Sequence, residues 1–231
     1  MVMLTRLKPL TLVDQANEQL YQYIDQNGLE EGDSLPSIAE LSEKFGASRA
    51  VIRESLKSLE AKGIIEIANG KRAKIKPVTS EPLLDYFQRF MQVDQRAAWE
   101  FAEIRIALEI QSVSLAIQRG SDAELHGLYA LVREMRENMH NAEAFADLDV
   151  RFHLLIAHAT HNTMMVHLLE SLRDAIRASV RKGLHKRLNR EQMSAVQGFH
   201  ERLAERLIKR DVDGATEAMH AHFDEIAMSL E

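Results

Sequence analysis

Apolar residues recur with helical spacing along most of the chain. Every fourth position from Leu12 to Ile24 is apolar, which predicts an amphipathic helix over residues 12–26. Beyond residue 82 the apolar faces become broad, as in helices packed around a buried interior. This pattern predicts a mainly α protein.

Residues 35–59 have the pattern of two short helices joined by a sharp turn. Ser37 and Glu40 have the spacing of a capping box that opens the first helix. Gly46 provides the backbone freedom that the turn needs. Ser48 can then accept free amides as the N-cap of the second helix.

The second of these helices has an apolar back and a basic front. Its basic side chains recur every fourth residue and therefore share one face. Such a helix can pack on a small core while its charged face enters the major groove of DNA. The apolar residues are Ile52, Leu56 and Leu59, and the basic residues are Arg49, Arg53 and Lys57.

A small β-hairpin is predicted directly after this helix pair, with strands at residues 64–67 and 73–76. The turn between them contains an Asn-Gly pair, which is a hairpin signal. A basic tip can reach phosphates or the minor groove. The tip residues are Asn69, Gly70, Lys71 and Arg72.

Residues 77–82 (PVTSEP) interrupt both the strand and the helix pattern, so we predict a linker there. An all-α bundle of six to seven helices is expected to follow it. The predicted helices cover residues 83–93, 95–119, 121–140, 142–160, 162–184, 190–210 and 212–230. The predicted organisation is therefore a DNA-binding domain at 1–76, a linker at 77–82 and an effector-binding, metal-binding and dimerising domain at 83–231.

The charge distribution separates one segment from the rest of the chain. The whole chain has a formal net charge of −6, but residues 44–76 hold nine basic and three acidic side chains. One compact basic patch on an acidic protein favours contact with phosphates at a defined place.

Composition excludes several other classes of protein. The chain has no cysteine, and therefore no disulfide framework and no thiolate metal site. It shows neither a signal-peptide pattern nor an apolar run of about 18 residues. We therefore expect a cytoplasmic protein that does not engage a membrane.

All ten histidines lie in the carboxyl-terminal half of the chain. Asp149 and His153 are one helical turn apart on one face, and His200 and His222 come from two later helices. Three helices of a bundle can direct these four side chains to one interior point. One carboxylate and three neutral imidazoles suit zinc, with nickel, manganese or iron as possible alternatives. Spacing alone does not separate His222 from His220, because both cannot face one interior ion.

The amino-terminal motif resembles the winged helix-turn-helix of the GntR family of bacterial transcription regulators. The matching runs are LPS…ELSEKFGASRAVIRESLKSLEAKGII and the wing-like IIEIANGKRAKI, with the helix-turn-helix at about residues 37–56. The remainder resembles the all-helical ligand-binding (FCD) domain of the FadR-type branch. Its matching runs are EIRIALEIQSVSLA, DVRFH, ATHN, HERLAERLIKRD and AMHAHF.

For DNA, the resemblance implies base and phosphate contacts from Arg49 and Arg53. Many relatives also carry an arginine in the first helix of the pair, where this chain has Ala39. That departure puts one expected contact in doubt. The implied DNA-binding residues are Ser48, Arg49, Arg53, Asn69, Gly70, Lys71 and Arg72.

For the helical domain, the resemblance implies a divalent metal ion, most readily zinc, held by Asp149, His153, His200 and His222. A small carboxylate effector would complete the coordination, with Arg105 near its cavity. The residues alone allow Arg105 to form a salt bridge with Glu109 instead. They also allow His158 and His161 to line the pocket.

Together these features indicate a regulator that is not an enzyme. We expect a homodimer on a pseudo-palindromic double-stranded DNA operator. It would be a repressor released by a sugar acid, hydroxy acid or dicarboxylate. One alternative is a metal-dependent enzyme with an accessory DNA-binding head, although the chain has no HExxH motif and no evident general base. Another alternative is a metal-ion sensor.

Overall fold

The computed structural model describes residues 10–68, 71–93, 97–186 and 190–230, with side chains at all of these except 97–99, 178–186, 190–192 and 225–230. In these ranges the chain forms ten helices and one two-stranded sheet. It divides into two compact units, residues 1–82 and 83–231. The predicted fold class, a winged helix-turn-helix followed by an all-α bundle, is confirmed.

The first unit contains three helices and a hairpin. They are α1 (Leu12–Gln26), α2 (Ile38–Phe45), α3 (Arg49–Ala61), β1 (Ile65–Glu66) and β2 (Lys74–Ile75).

Local signals place the ends of these helices as predicted. The Ser37 hydroxyl accepts the Glu40 amide at 3.2 Å, while a Glu40 carboxylate oxygen accepts the Ser37 amide at 2.6 Å. Gly46 ends α2 with a φ of 60°, in the left-handed region that favours glycine. The Ser48 hydroxyl accepts the Val51 amide at 3.3 Å and caps α3.

Each strand has two residues rather than the predicted four. The strands are antiparallel, with Ile65 opposite Ile75 and Glu66 opposite Lys74. The Ile67 amide donates instead to the side chain of Glu60 on α3, at 2.9 Å. This hydrogen bond takes the Ile67 amide away from the strand ladder, so β1 ends before it.

The core of the first unit is a single apolar cluster between the helices and the hairpin. Polar side chains of α1 and α3 also meet here: Asn17 of α1 accepts from the Ser55 hydroxyl at 2.6 Å and donates to the Ser58 hydroxyl at 3.2 Å. These bonds fix α1 against the back of α3. The fully buried members of the apolar cluster include Leu20, Leu35, Leu41, Ile52, Leu59 and Ile65.

The second unit is formed by seven helices in the part of the chain that is described. They are α4 (Glu81–Val93), α5 (Ala97–Arg119), α6 (Asp122–Glu137), α7 (Ala142–Ala159), α8 (Thr163–Lys186), α9 (Arg190–Ile208) and α10 (Val212–Leu230). Helix α4 begins two residues before the predicted position, because Pro82 is tolerated in the first turn of a helix.

The largest core cluster of the second unit is built from α5, α6, α7, α9 and α10. Phe145 and Phe152 of α7 are fully buried in it. Helix α8 packs on the other side of α7, where Leu169 and Met165 are buried. Among the described residues, no helix is long and apolar enough to cross a membrane.

We expect Asn17→Ala to destabilise the first unit by about 1–3 kcal/mol, because the buried Ser55 hydroxyl would lose its acceptor. Hydrogen–deuterium exchange of α1 and α3 peptides measures this loss within the unit. Glu18→Ala, at the exposed neighbouring position, is the matched control. Equal protection in the two variants would contradict this role of Asn17.

Candidate metal centre and nucleic-acid interface

Three helices of the second unit bring four candidate ligands together in its core. Asp149 and His153 lie one turn apart on α7, His200 lies on α9 and His222 lies on α10. All four side chains are buried, with at most 3% of each residue exposed. One potential ligand atom from each residue lies within 4.8 Å of the others. The structure thus brings together the four residues that the resemblance implied as metal ligands.

The contacts of its two ring nitrogens set the orientation of His200. Its Nδ1 lies 3.1 Å from the carbonyl oxygen of Val196, one turn earlier on α9. Its Nε2 lies 2.9 Å from Asp149 Oδ1. When Nδ1 donates to the carbonyl, a neutral ring presents the lone pair of Nε2 to a carboxylate oxygen. Either a proton on Nε2 or a cation shared by both groups satisfies this arrangement.

Other polar atoms of the cluster lack partners. Within the described ranges, Asp149 Oδ2, His153 Nε2 and His222 Nε2 form no hydrogen bond. Buried polar atoms without partners cost free energy, so native proteins rarely leave several in one place. A divalent cation would bind to such atoms directly. One carboxylate oxygen and three imidazole nitrogens are a suitable donor set for it.

The surroundings of the cluster shift the pKa values of Asp149 and His222. Burial alone would raise the pKa of Asp149, but the hydrogen bond with His200 and the nearby positive groups hold that pKa well below its usual range. Burial lowers the pKa of His222 well below its ordinary value of 6.5, and the neighbouring His200 and His153 lower it further. The site therefore combines a charged carboxylate with a neutral His222 imidazole.

A buried ion pair adjoins these ligands. Arg105 Nε lies 2.5 Å from Glu109 Oε1 within α5, which is the salt bridge that the sequence allowed. The second oxygen of Glu109 contacts His153 Nδ1. Burial would raise the pKa of Glu109, but Arg105 and His153 outweigh that effect and lower it. The sequence signalled the i, i+4 pair, but not its contact with a candidate metal ligand.

The other histidines discussed above lie outside the cluster. His158 and His161 are more than half exposed, and they approach Glu170 and Glu124 respectively. They do not line the interior site. On α10, His220 is exposed while His222 is buried, so the helix itself separates the two.

In the first unit, α3 presents its basic face to solvent. Arg49 and Arg53 are exposed, and neither forms a salt bridge with another described residue. Lys57 lies 3.3 Å from Glu54 on the same helix. Ser48 is exposed at the start of α3, with its hydroxyl engaged in the cap. The two arginine charges are therefore available to phosphates or bases.

The hairpin adds further positive charge. Lys71 and Arg72 are exposed, and Arg72 lies 3.2 Å from Glu40, the capping residue of α2. The other two predicted tip residues, Asn69 and Gly70, lie outside the described residues. Ala39 is exposed on α2 and carries no group that can contact DNA through hydrogen bonds.

Comparison with known proteins agrees with this arrangement. Residues 12–75 match the family described as bacterial regulatory proteins, gntR family. Residues 100–225, more than half of the chain, match the FCD domain. The chain belongs to the GntR family, with an FCD domain at its carboxyl end. This GntR-family protein is therefore a DNA-binding transcription regulator and not an enzyme, as the sequence predicted.

Individual relatives extend over nearly the whole regulator. It is 28% identical over 223 residues to the Glc operon transcriptional activator of Escherichia coli K12, covering 92% of this chain and 86% of the relative. It is 26% identical over 225 residues to the transcriptional repressor NanR of Cronobacter sakazakii, covering 93% and 84%. A solved Streptococcus agalactiae GntR structure has the same fold, with a TM-score of 0.73 at 24% identity, covering 94% of this chain and 99% of that chain.

The depressed pKa of His222 predicts acid sensitivity of the metal-free regulator. Below pH 6.5 His222 takes up a proton in the unfolded chain but stays neutral in the folded site, so the free energy of unfolding decreases as the pH falls. Asp149 adds no pH dependence in this range, because the stability from its lowered pKa is fully present above its ordinary pKa and is lost only at lower pH.

We expect His222 to lower the free energy of unfolding by about 1 kcal/mol between pH 7.5 and pH 5.5. Chemical denaturation with a chelator present measures this change. His222→Gln should flatten this dependence, whereas His220→Gln, at an exposed position, should keep it. An unchanged pH slope in His222→Gln would contradict the assignment.

Proposed function

We propose that this regulator is a homodimeric repressor whose affinity for its operator is controlled by a small carboxylate bound at a divalent metal ion. The observation that carries the proposal is the buried cluster of four ligand-type side chains, three of which have a ring or carboxylate atom without a hydrogen-bond partner among the described residues.

The DNA contacts are assigned to the basic face of α3. Arg49 and Arg53 lie one turn apart, are exposed and have no competing carboxylate in the described part of the chain. An arginine in the major groove can donate two hydrogen bonds to a guanine, and it can alternatively bind a phosphate. Lys71 and Arg72 of the hairpin would contribute charge to the same duplex, and Ser48 would orient the start of α3.

A dimer is proposed because an operator is longer than the stretch of DNA that one recognition helix can read. One helix reads only a few base pairs, whereas two copies related by a two-fold axis read two half-sites separated by about one helical turn. The operator would then be pseudo-palindromic double-stranded DNA. The second unit is proposed to form the dimer contact.

In the helical unit, Asp149, His153, His200 and His222 would hold the ion, with zinc as the first candidate. A bound zinc ion acts as a Lewis acid that can accept a carboxylate oxygen at an open position. The protein's own groups fix its ligands: the Val196 carbonyl orients His200, and Glu109 orients His153. Arg105, close by on α5, would contact the effector carboxylate.

Effector and DNA would be linked through a coupling free energy, typically about 1–3 kcal/mol. Release of a repressor is the proposed direction. The names of its relatives include both an activator and a repressor, so transcription assays with and without effector decide the direction.

Replacing Arg49 by alanine should weaken operator binding by about 1–3 kcal/mol, if the guanidinium contacts a guanine. Titration of a labelled operator fragment measures the change, with scrambled DNA as competitor. Arg133→Ala removes one exposed arginine from the second unit and is the matched control. Equal operator affinity for Arg49→Ala and Arg133→Ala would reject the role of Arg49.

Removal of a ligand should empty the metal site. We expect His200→Ala and His222→Ala each to lower bound metal, measured by elemental analysis after dialysis, and to weaken the response of DNA binding to effector. His220→Ala removes an exposed histidine two positions from His222 and should retain the metal. Full metal occupancy in His222→Ala would show that the ligand assignment is wrong.

A further inference from the structure

The Arg105–Glu109 ion pair is buried beside the proposed metal site. The Arg105 and Glu109 side chains are only 7% and 2% exposed. Removing two charges from water is costly, and an apolar pair of similar size would often be equally stable. The pair therefore calls for a role beyond holding α5 together. Its position against His153 points to the charge of the site.

The charges that the described residues place around the cluster can be counted. A divalent ion contributes two positive charges and Arg105 contributes one, while Asp149 and Glu109 contribute one negative charge each. With neutral imidazoles, one net positive charge remains. Glu201, next to His200 in the chain, is neutralised by Arg136, which donates to its two oxygens at 2.7 and 2.5 Å.

We propose that Glu109 makes the site selective for a monocarboxylate over a dicarboxylate. The inference rests on the proposed metal site and narrows the proposed effector class. One carboxylate neutralises the single remaining charge. A second carboxylate would place an uncompensated negative charge in a region of low dielectric, where charges are poorly screened. Without Glu109 the site would have two net positive charges and would suit a dianion.

Glu109 also determines what Arg105 can offer. Its Oε1 accepts from Arg105 Nε, which leaves Arg105 Nη2 buried without a hydrogen-bond partner among the described residues. An unpaired guanidinium donor is satisfied by a carboxylate oxygen. Arg105 Nη2 thus remains available as a directed donor, and the charge of Arg105 is already balanced by Glu109.

Matched ligand pairs test this selectivity in the full-length, zinc-loaded protein. Lactate and tartronate differ by replacement of a methyl group with a carboxylate, and gluconate and glucarate differ by the same addition of charge at the far end. Calorimetry should show that the monoanion of a pair binds at least about tenfold more tightly. Zinc analysis after each titration detects removal of the ion by a chelating ligand.

Variants separate charge from structure. Glu109→Gln keeps the size of the side chain and should shift the affinity ratio at least about tenfold toward the dianion. Arg105→Gln combined with Glu109→Gln returns the net charge to one positive and should restore the preference for the monoanion. Glu103→Gln, at an exposed position of α5, should leave the ratio unchanged.

The outcomes distinguish failure of the proposed function from failure of the selectivity inference. If zinc-loaded wild-type protein binds none of the four acids, the proposed function fails, and this inference fails with it. If acids bind but the dianion binds equally or more tightly with zinc retained, only the inference is overturned. An unchanged ratio in folded Glu109→Gln also overturns it. Should that variant not fold, the wild-type ratio still decides.

Discussion

A polar cluster inside an apolar helical bundle is the constraint on which the second unit depends. Apolar core side chains tolerate small slides or rotations of a helix, because their contacts are not directional. Asp149 and the three imidazoles do not, since each needs a partner at a defined place. The His200 ring lies against the fully buried Phe152 ring, with the two ring centroids 5.3 Å apart. The rotations of α7, α9 and α10 about their own axes are therefore fixed relative to one another.

In the first unit, too, a buried polar contact fixes how the helices pack. Asn17 joins α1 to the back of α3, and this leaves the opposite face of α3 polar and exposed. The exposed basic side chains of α3 and the hairpin differ in their ion pairing. Arg49 and Arg53 have no ion pair among the described residues, whereas Arg72 pairs with Glu40. Exposed ion pairs contribute little to stability, so a DNA phosphate that approached Arg72 would displace Glu40 at low cost.

The sequence predicts best what is encoded locally. The capping box at Ser37 forms in the structure, because it depends on residues only three positions apart. The prediction that Ile67 belongs to a strand is wrong, because its amide donates to the Glu60 side chain of an earlier helix. Likewise, periodicity does not decide which of two nearby histidines faces inward when the apolar face is broad. The contact between Glu109 and His153 joins α5 to α7 and is a product of tertiary packing alone.

Charge balance also bears on how a signal can leave the helical unit. A ligand shifts an equilibrium only by the difference in its affinity for the two states. Arg105 and Glu109 lie on α5, while the candidate ligands lie on α7, α9 and α10. A carboxylate that met both the ion and Arg105 would therefore join all four helices. Any movement of α5 relative to α7 would break the contact of Glu109 with His153 and alter the charge felt by the ligand at the same time. The buried ion pair would thus make the affinity for a bound acid depend on how these helices are arranged.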